Sequence, residues 1–498
     1  MKVRDLFKID REEIRVIHFT WIAFFISFYV WFNMAPLATT MLKNVGWLTA
    51  EHLKIFAICN VALTIPGRVI IGALIDRFGP RLIFSLLLVA MSIPTFVFAF
   101  GNTFAQLLIS RLVLSVIGTS FVIGIKMVAQ WVPPKHVGFA QGFYAGWGNF
   151  GSAFAAMTLP WVALTLFGSY TDGWRYAMAL NGFVCLVYGV MYYFLVRDVP
   201  QSGVSKLFHF RKVEKVQPMT VSSYVDLFQY LIWSAPLMGA LGLLTWRIGG
   251  IVGTQYIYVV YWGLGLVYIV HCLKVLHVNL PILQKGVAEK DKYAWSNVAA
   301  LNTTYFANFG AELAVVSMLP MFFEKVFTVS ATAAGLIASS FAFVNLFARP
   351  LGGWLSDRMG HRKRTMLIYM VGITCGFLAM GFIGKWGPIV DGVQTVIPQF
   401  SGNVWLIVAI VITILCSVFV QGAEGATYAI IPTVNRRMTG QVAGMAGAYG
   451  NVGAVFYLVL YSLVDDKTFF YCVAVGAFFS FIYCAFFLKE HEDAFAEE

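Results

Sequence analysis

Fourteen stretches of this chain are apolar over about twenty residues, the length at which an α-helix spans the hydrocarbon of a bilayer. Lipid offers no partner to a bare backbone N–H or C=O, so runs of this kind must be helices that satisfy their own hydrogen bonds. Six runs lie at about 17–40, 52–75, 82–101, 105–130, 138–166 and 174–196. Six more lie at about 296–323, 332–355, 366–384, 404–432, 439–463 and 468–488. Two others, at about 228–246 and 252–274, stand between the sets. The reading is fourteen spans, twelve of them in two sets of six and two inserted; the alternative for the inserted runs is a re-entrant pair or helices lying along the membrane. With 59% hydrophobic and 12% charged residues in 498, and a mean hydropathy of +0.76, the chain is expected to be an all-α polytopic membrane protein.

The net charge of +11 does not point to nucleic acid, because its distribution reports topology. With the N-terminus placed in the cytoplasm, 24 of the 35 Lys and Arg fall in cytoplasmic segments, seven in outer loops and four within spans. That is the positive-inside bias, and it puts both termini in the cytoplasm. The linker after the sixth span is basic, with Arg197, Lys206, Arg211, Lys212 and Lys215. The predicted division is 1–197 as the first six-helix bundle, 198–295 as a linker carrying the inserted pair and an interfacial helix near 283–295, and 296–498 as the second bundle. The seven cysteines lie singly in apolar runs, so neither a disulfide framework nor a metal site is expected. The polar start predicts no removable signal peptide.

The two sets of six are copies of one unit. Gly72-Ala-Leu-Ile-Asp76-Arg77-Phe-Gly79-Pro-Arg81 recurs as Gly353-Trp-Leu-Ser-Asp357-Arg358-Met-Gly360-His-Arg362, 281 residues later. In each copy an arginine, Arg68 or Arg349, precedes the aspartate by eight residues inside an apolar segment. A second pair, Gly142-Phe-Tyr-Ala-Gly-Trp-Gly148-Asn149-Phe-Gly151 and Gly444-Met-Ala-Gly-Ala-Tyr-Gly450-Asn451-Val-Gly453, is offset by 302, and the longer loop at 385–403 accounts for the difference. Two halves in parallel repeat imply bundles that rock about a site near the midplane.

Asp76-Arg77 and Asp357-Arg358 end the second and eighth spans, where paired charges can lock helix ends in one state; they speak to gating. Arg68 and Arg349 lie about 12 Å deeper. A guanidinium at that depth costs at least about 2.5 kcal/mol and cannot shed its proton, so it needs an anion or a wet cavity. Its planar fork suits an oxyanion gripped bidentately. The competing reading is neutralisation by an intramembrane acid, Glu312 or Glu424, although neither acid is repeated in both halves as the arginines are. Arg111 and Lys126 in the fourth span are expected to snorkel or make local contacts. Asn149 and Asn451 put one neutral amide per half beside packing glycines, and an amide can donate to an anion without adding charge.

Taken together, these residues resemble the nitrate/nitrite porters of the major facilitator superfamily. The likeness spans nearly the whole chain outside the inserted pair. It rests on both Gly-Asn-Xaa-Gly signatures, Arg68 and Arg349, Trp31-Phe32-Asn33-Met34-Ala35-Pro36, and Leu301-Asn-Thr-Thr-Tyr305-Phe-Ala-Asn308-Phe309-Gly310. Gln421-Gly-Ala-Glu424-Gly-Ala-Thr-Tyr-Ala-Ile-Ile-Pro432 followed by Arg436-Arg437 is similar to the bacterial and cyanobacterial nitrate permeases in particular. The resemblance implies nitrate held between Arg68 and Arg349, sandwiched by the rings of Phe121 and Phe309, with Asn149 and Tyr305 donating hydrogen bonds. Tyr305 and Phe309 are four apart and share a helix face, on which Glu312 follows about 10 Å farther.

Exchange porters of this family are thought to lack a protonatable group at the site, whereas this chain carries Glu312 and Glu424. The expected function is therefore proton-coupled uptake of nitrate, and of nitrite, across the cytoplasmic membrane. Nitrate/nitrite exchange is the alternative, and a porter of a small carboxylate or phosphate remains open on charge alone. An anion sensor that binds without turnover is disfavoured by the short linker and tail. No nucleophile–base pair or phosphate-cradling loop appears, so no enzyme is expected, nor any cofactor; the lipid bilayer is the one structural partner and a monomer is expected to suffice.

Overall fold

The computed structural model of the protein describes residues 7–132, 134–198, 218–253, 255, 257–390, 393–435 and 438–489. Linker residues Lys206, Arg211, Lys212 and Lys215, the pair Arg436-Arg437 and the acidic tail past Lys489 lie outside the described residues, as do the side chains of Asp76 and Asp357.

Among the described residues, 13 helical segments are long and apolar enough to cross a membrane. The second span is not among them; it is built of two helices, Ala50–Ala62 and Thr64–Phe78, and with it the total is the expected fourteen. Boundaries follow the hydropathy closely, as in the tenth span, expected at 404–432 and found at Asn403–Val434. The inserted runs are helices Tyr224–Val252 and Ile257–Lys285, each of 29 residues. At 1.5 Å per residue each is about 43 Å long, too long for the limb of a re-entrant hairpin in a core about 30 Å thick.

The chain falls into two compact units that cut across the sequence repeat. The first comprises Met1–Glu214, Val315–Pro350 and Gly384–Ile414; the second Lys215–Ala314, Leu351–Ile383 and Leu415–Glu498. In the first unit the opening span packs on the fifth and sixth, the third on the sixth, and the fifth also on the segment Ala331–Phe343 of the eighth. In the second unit Trp295–Ala307 packs on the eleventh and twelfth spans, and the ninth on the twelfth. The first inserted helix joins this unit through a bond from the Tyr449 hydroxyl to the Trp233 carbonyl and one from Arg247 Nε to Ser462 Oγ at 2.8 Å. The second is tied in by Asn279, whose Oδ1 accepts from the Val221 N–H at 2.8 Å and whose Nδ2 donates to the Met219 carbonyl at 3.0 Å.

Several spans are interrupted, and one pair of interruptions carries the repeat. The first span leaves α-helix after Trp31, as Pro36 withholds a backbone donor, and resumes as the short segments Ala35–Leu37 and Ala38–Asn44. The seventh breaks at Asn308, whose Oδ1 accepts the N–H of Phe309 at 2.6 Å in place of a backbone carbonyl. The second and eighth break at Leu63 and Val344, which are 281 residues apart, one repeat.

Two expectations need correction. The 283–295 block is not an interfacial helix: the helix ends at Lys285, Gly286 turns the chain with φ +84°, and only a three-residue 3-10 turn, Glu289–Asp291, follows. The loop after the ninth span is ordered as an antiparallel hairpin, Gly384–Val390 with Val393–Pro398, paired from Gly384↔Pro398 to Val390↔Val393. Its β-branched run Ile389, Val390, Val393, Val396 and Ile397 favours strand, yet it is too short to announce itself in a hydropathy profile.

Candidate functional site

Each of the two repeat arginines is the fifth residue of the helix that restarts after a break, Arg68 in Thr64–Phe78 and Arg349 in Asn345–Arg358. Both are buried, at 7% and 5% exposure. The first break is pinned by a 3-10 turn of the fourth span, Ser115–Thr119: Ser115 Oγ accepts the Leu63 N–H at 3.0 Å, and Thr64 Oγ1 donates to the Ser115 carbonyl. Two residues past that turn stands Phe121. Its ring centroid is 5.9 Å from the guanidinium carbon of Arg68 and 5.9 Å from that of Arg349, at the outer edge of cation–π range. The two cations therefore sit within 11.8 Å of each other, twice 5.9 Å, both beside one aromatic ring in the first unit.

The ring is held by its neighbours. Phe24 lies 5.8 Å from Phe121 and stacks on Tyr144 at 4.8 Å, and the Tyr144 hydroxyl donates to the Ser120 carbonyl at 2.9 Å. Phe24 fits because residue 148 is glycine; any Cβ there would overlap its ring. A Cβ at Gly151 would likewise overlap the Phe25 carbonyl, so the first signature is the contact surface of the fifth span against the first. Between these glycines Asn149 is 1% exposed, and among the described residues neither polar atom of its amide has a hydrogen-bond partner.

The second unit repeats this construction with different chemistry. Tyr305 and Phe309 stack at 5.0 Å and 14°, as their spacing predicts, and Tyr305 meets Tyr428 edge-on at 5.3 Å. A Cβ at Gly450 would lie 2.7 Å from Tyr305 Cδ1 and 2.6 Å from Phe309 Cδ1, while one at Gly453 would overlap the Phe306 carbonyl. Asn451 differs from its counterpart, since its Nδ2 donates to the Gly447 carbonyl of its own helix at 3.2 Å. Glu312 and Glu424 are both buried in this unit. The helix face expected to run unbroken from Tyr305 to Glu312 is interrupted at Asn308; the Glu312 N–H bonds the Asn308 carbonyl at 2.9 Å, which sets the acid in the first turn of the new helix. Around the break, Asn308 Nδ2 donates to Thr427 Oγ1 at 3.4 Å, and Thr304 and Thr427 hydroxyls share a bond of 3.1 Å.

At the repeated turns, Gly79 and Gly360 have φ +83° and +67°, values that exclude most side chains. Arg77 and Arg358 are exposed and lie over Phe78 and Trp354 of their own helices, at 5.1 and 5.0 Å. The bonds from these turns to neighbouring helices come from other residues. Arg81 Nε donates to the Tyr193 carbonyl at 2.7 Å, its N–H is capped by Asp198 Oδ1 at 2.8 Å, and Arg362 donates to the Ala429 carbonyl. Burial raises the Asp198 carboxyl above its ordinary value, against the opposing pull of the Arg81 amide and charge.

Sequence reasoning missed Phe24, Tyr144, Arg81 and Asp198. Phe24 was within reach, because subtracting the 281-residue offset from Tyr305 lands on it.

The sequence profile of the Major Facilitator Superfamily matches residues 20–287 and 301–497. The nitrate/nitrite transporter NrtP of Picosynechococcus sp. is 40% identical over 526 residues, covering 97% of this chain and 94% of that protein. NrtP of Nostoc punctiforme is 41% identical over 493 residues with the same coverages, 97% and 94%. In fold, the inward-open xylose transporter XylE from E. coli is similar, with a TM-score of 0.62 at 14% identity over 97% of this chain and 98% of that one. Duplicated turns, repeated arginines and full-length identity agree: the chain belongs to the Major Facilitator Superfamily and, within it, to the nitrate/nitrite porters.

Proposed function

We propose that this protein is a secondary transporter that carries nitrate, and nitrite, across the cytoplasmic membrane by alternating access, with uptake coupled to protons. The observation that carries the reading is the pair of buried arginines beside one ring, each 5.9 Å from Phe121. Two guanidinium charges within 11.8 Å repel by roughly 1.4 kcal/mol or more at an effective dielectric of about 20, and a bound monoanion turns that repulsion into attraction. Nitrate is planar with three equivalent oxygens, so each arginine can present two N–H groups to it while a ring face covers the anion and excludes water. Asn149 supplies a neutral donor, which strengthens binding without adding a third charge that would hinder release. Tyr305, stacked on Phe309, is assigned the remaining hydrogen bond, with Asn451 as the weaker candidate.

Support for nitrate and nitrite as cargo comes from the relatives' names, since two arginines specify charge and not geometry. Glu312 and Glu424 are the candidates to bind the travelling proton. The working division is two six-span bundles, 1–197 and 296–498, around the 198–295 insertion, with both termini cytoplasmic because an even number of spans returns the chain to its starting side. Asp76-Arg77 and Asp357-Arg358 are assigned to gating, acting with Arg81 and Arg362.

Uptake of labelled nitrate into proteoliposomes, with and without an inward proton gradient, tests the whole reading. Wild type should accumulate nitrate when the outside is acidic; Arg68→Lys and Arg349→Lys should lose uptake at least about a hundredfold, and Glu312→Gln or Glu424→Gln should retain exchange while losing gradient-driven accumulation. Uptake indifferent to the gradient but dependent on internal nitrite would replace symport with exchange. Competition by formate or phosphate as strong as by chlorate would replace nitrate as the cargo.

A further inference from the structure

A third buried arginine is not absorbed by this reading. Arg111, in the fourth span, is 0% exposed, and a guanidinium keeps its charge at any pH a cell meets. Its Nη2 donates to Asn33 Oδ1 at 2.6 Å, its Nη1 to Asn60 Oδ1 at 3.5 Å, and its Cζ lies 3.9 Å from the Phe98 centroid. Among the described residues its contacts are thus two neutral amide oxygens and a ring face, with no carboxylate. Two donors of the same cluster, Arg111 Nε and Asn33 Nδ2, are buried without an acceptor among the described residues. The deficit is one-sided: the cluster has an uncompensated positive charge and spare N–H groups. Water could accept from the donors but would leave the charge, whereas a small anion answers both.

The fold holds this cluster in place. Asn33 stands in the break of the first span between Trp31 and Ala35, where its backbone is released from helix. Asn60 is fixed by reciprocal bonds with Trp31, the indole N–H to the Asn60 carbonyl and Asn60 Nδ2 to the Trp31 carbonyl at 2.7 Å. Asn60 precedes Arg68 by eight residues on the second span, about 12 Å along the helix, so the cluster is a place apart from the Arg68–Phe121–Arg349 site.

We infer that Arg111, Asn33 and Asn60 form a second, internal anion site that takes a small monovalent anion of the halide or nitrate class. The occupant neutralises the buried guanidinium and ties the broken first span to the second and fourth; it need not be the transported ion.

The test uses purified full-length protein carrying Arg68→Ala and Arg349→Ala, so that the proposed transport site is disabled, with thermal unfolding followed in sodium gluconate and in sodium bromide at equal ionic strength. Bromide is expected to raise the midpoint saturably, by roughly 2 °C or more. Adding Arg111→Gln should abolish the increment. Adding Asn33→Asp, which supplies a built-in carboxylate, should also abolish it while raising the midpoint in gluconate, a result that a merely misfolded variant does not give. No bromide increment in the double-alanine protein overturns the proposal, as does an increment that survives both additions. A wild type whose response to nitrate is no larger than that of the double-alanine protein would count against the transport site and leave this one standing.

Discussion

The contact of the first span with the fifth and that of the seventh with the eleventh are built from one plan and do different chemistry. In both, the first glycine of the Gly-Asn-Xaa-Gly signature admits an aromatic ring, Phe24 or the Tyr305–Phe309 stack, and the second lets a backbone carbonyl approach. At the matched ring position the seventh span has a phenol, Tyr305, where the first has Phe24. Among the described residues the fifth-span copy leaves its amide without a hydrogen-bond partner, whereas Asn451 spends its N–H on its own helix. Duplication preserved the steric frame, while the polar groups on it diverged between the halves. Symmetry in a repeat protein is thus a guide to packing before it is a guide to ligands.

That comparison can be attacked first at its frame. Gly148→Ala and Gly450→Ala should each lower nitrate uptake by about two orders of magnitude, because the added methyl meets a ring with no room to move, while Gly142→Ala and Gly444→Ala, with open space around the new carbon, should transport like wild type. Equal damage at all four positions would show that the signature works through something other than close approach. Next comes the amide asymmetry. Asn149→Ala is expected to raise KM by about tenfold or more with no loss of thermal stability, since no protein bond is broken, and Asn451→Ala to change KM by less than about threefold. If the two respond alike, the halves are chemically equivalent after all.

Tyr305→Phe, which makes the seventh span match the first, should weaken nitrate binding by roughly three- to tenfold, the worth of one hydrogen bond. The smallest effect belongs to the turns, of which the first is capped by a carboxylate, Asp198. A carboxyl raised by burial favours its protonated form in the folded state, so its contribution to stability falls as pH climbs from its ordinary 3.8 through the folded value. Asp198→Asn should therefore gain slightly in thermal midpoint over wild type as pH rises above about 4, and a gain in the opposite direction would mean that the bond to Arg81 dominates.

The spans were readable because twenty apolar residues leave a chain little choice, and the arginines because charge in lipid is costly enough to be rare. The breaks at Leu63 and Val344 were not readable: neither residue is proline or glycine, and the first interruption is set by Ser115, some fifty positions away in the chain. The hairpin after the ninth span and the role of Arg81 escaped for the same reason, since both depend on partners that only the folded chain supplies. Phe24 looked like one more phenylalanine in an apolar run until Gly148 showed what it packs against.

The paired breaks also set a lever ratio. From Leu63 to Arg68 is five residues, about 7.5 Å of helix, and from Leu63 to Gly79 is sixteen, about 24 Å. The same lengths hold from Val344 to Arg349 and to Gly360. A swivel of the lower helix at its break therefore carries the turn about three times as far as the guanidinium. On the proposed assignment of the turns to gating and the arginines to the anion, the helix ends sweep through a gate's distance while the arginines drift by little more than the slack of a hydrogen bond, and grip and release are geared at different rates.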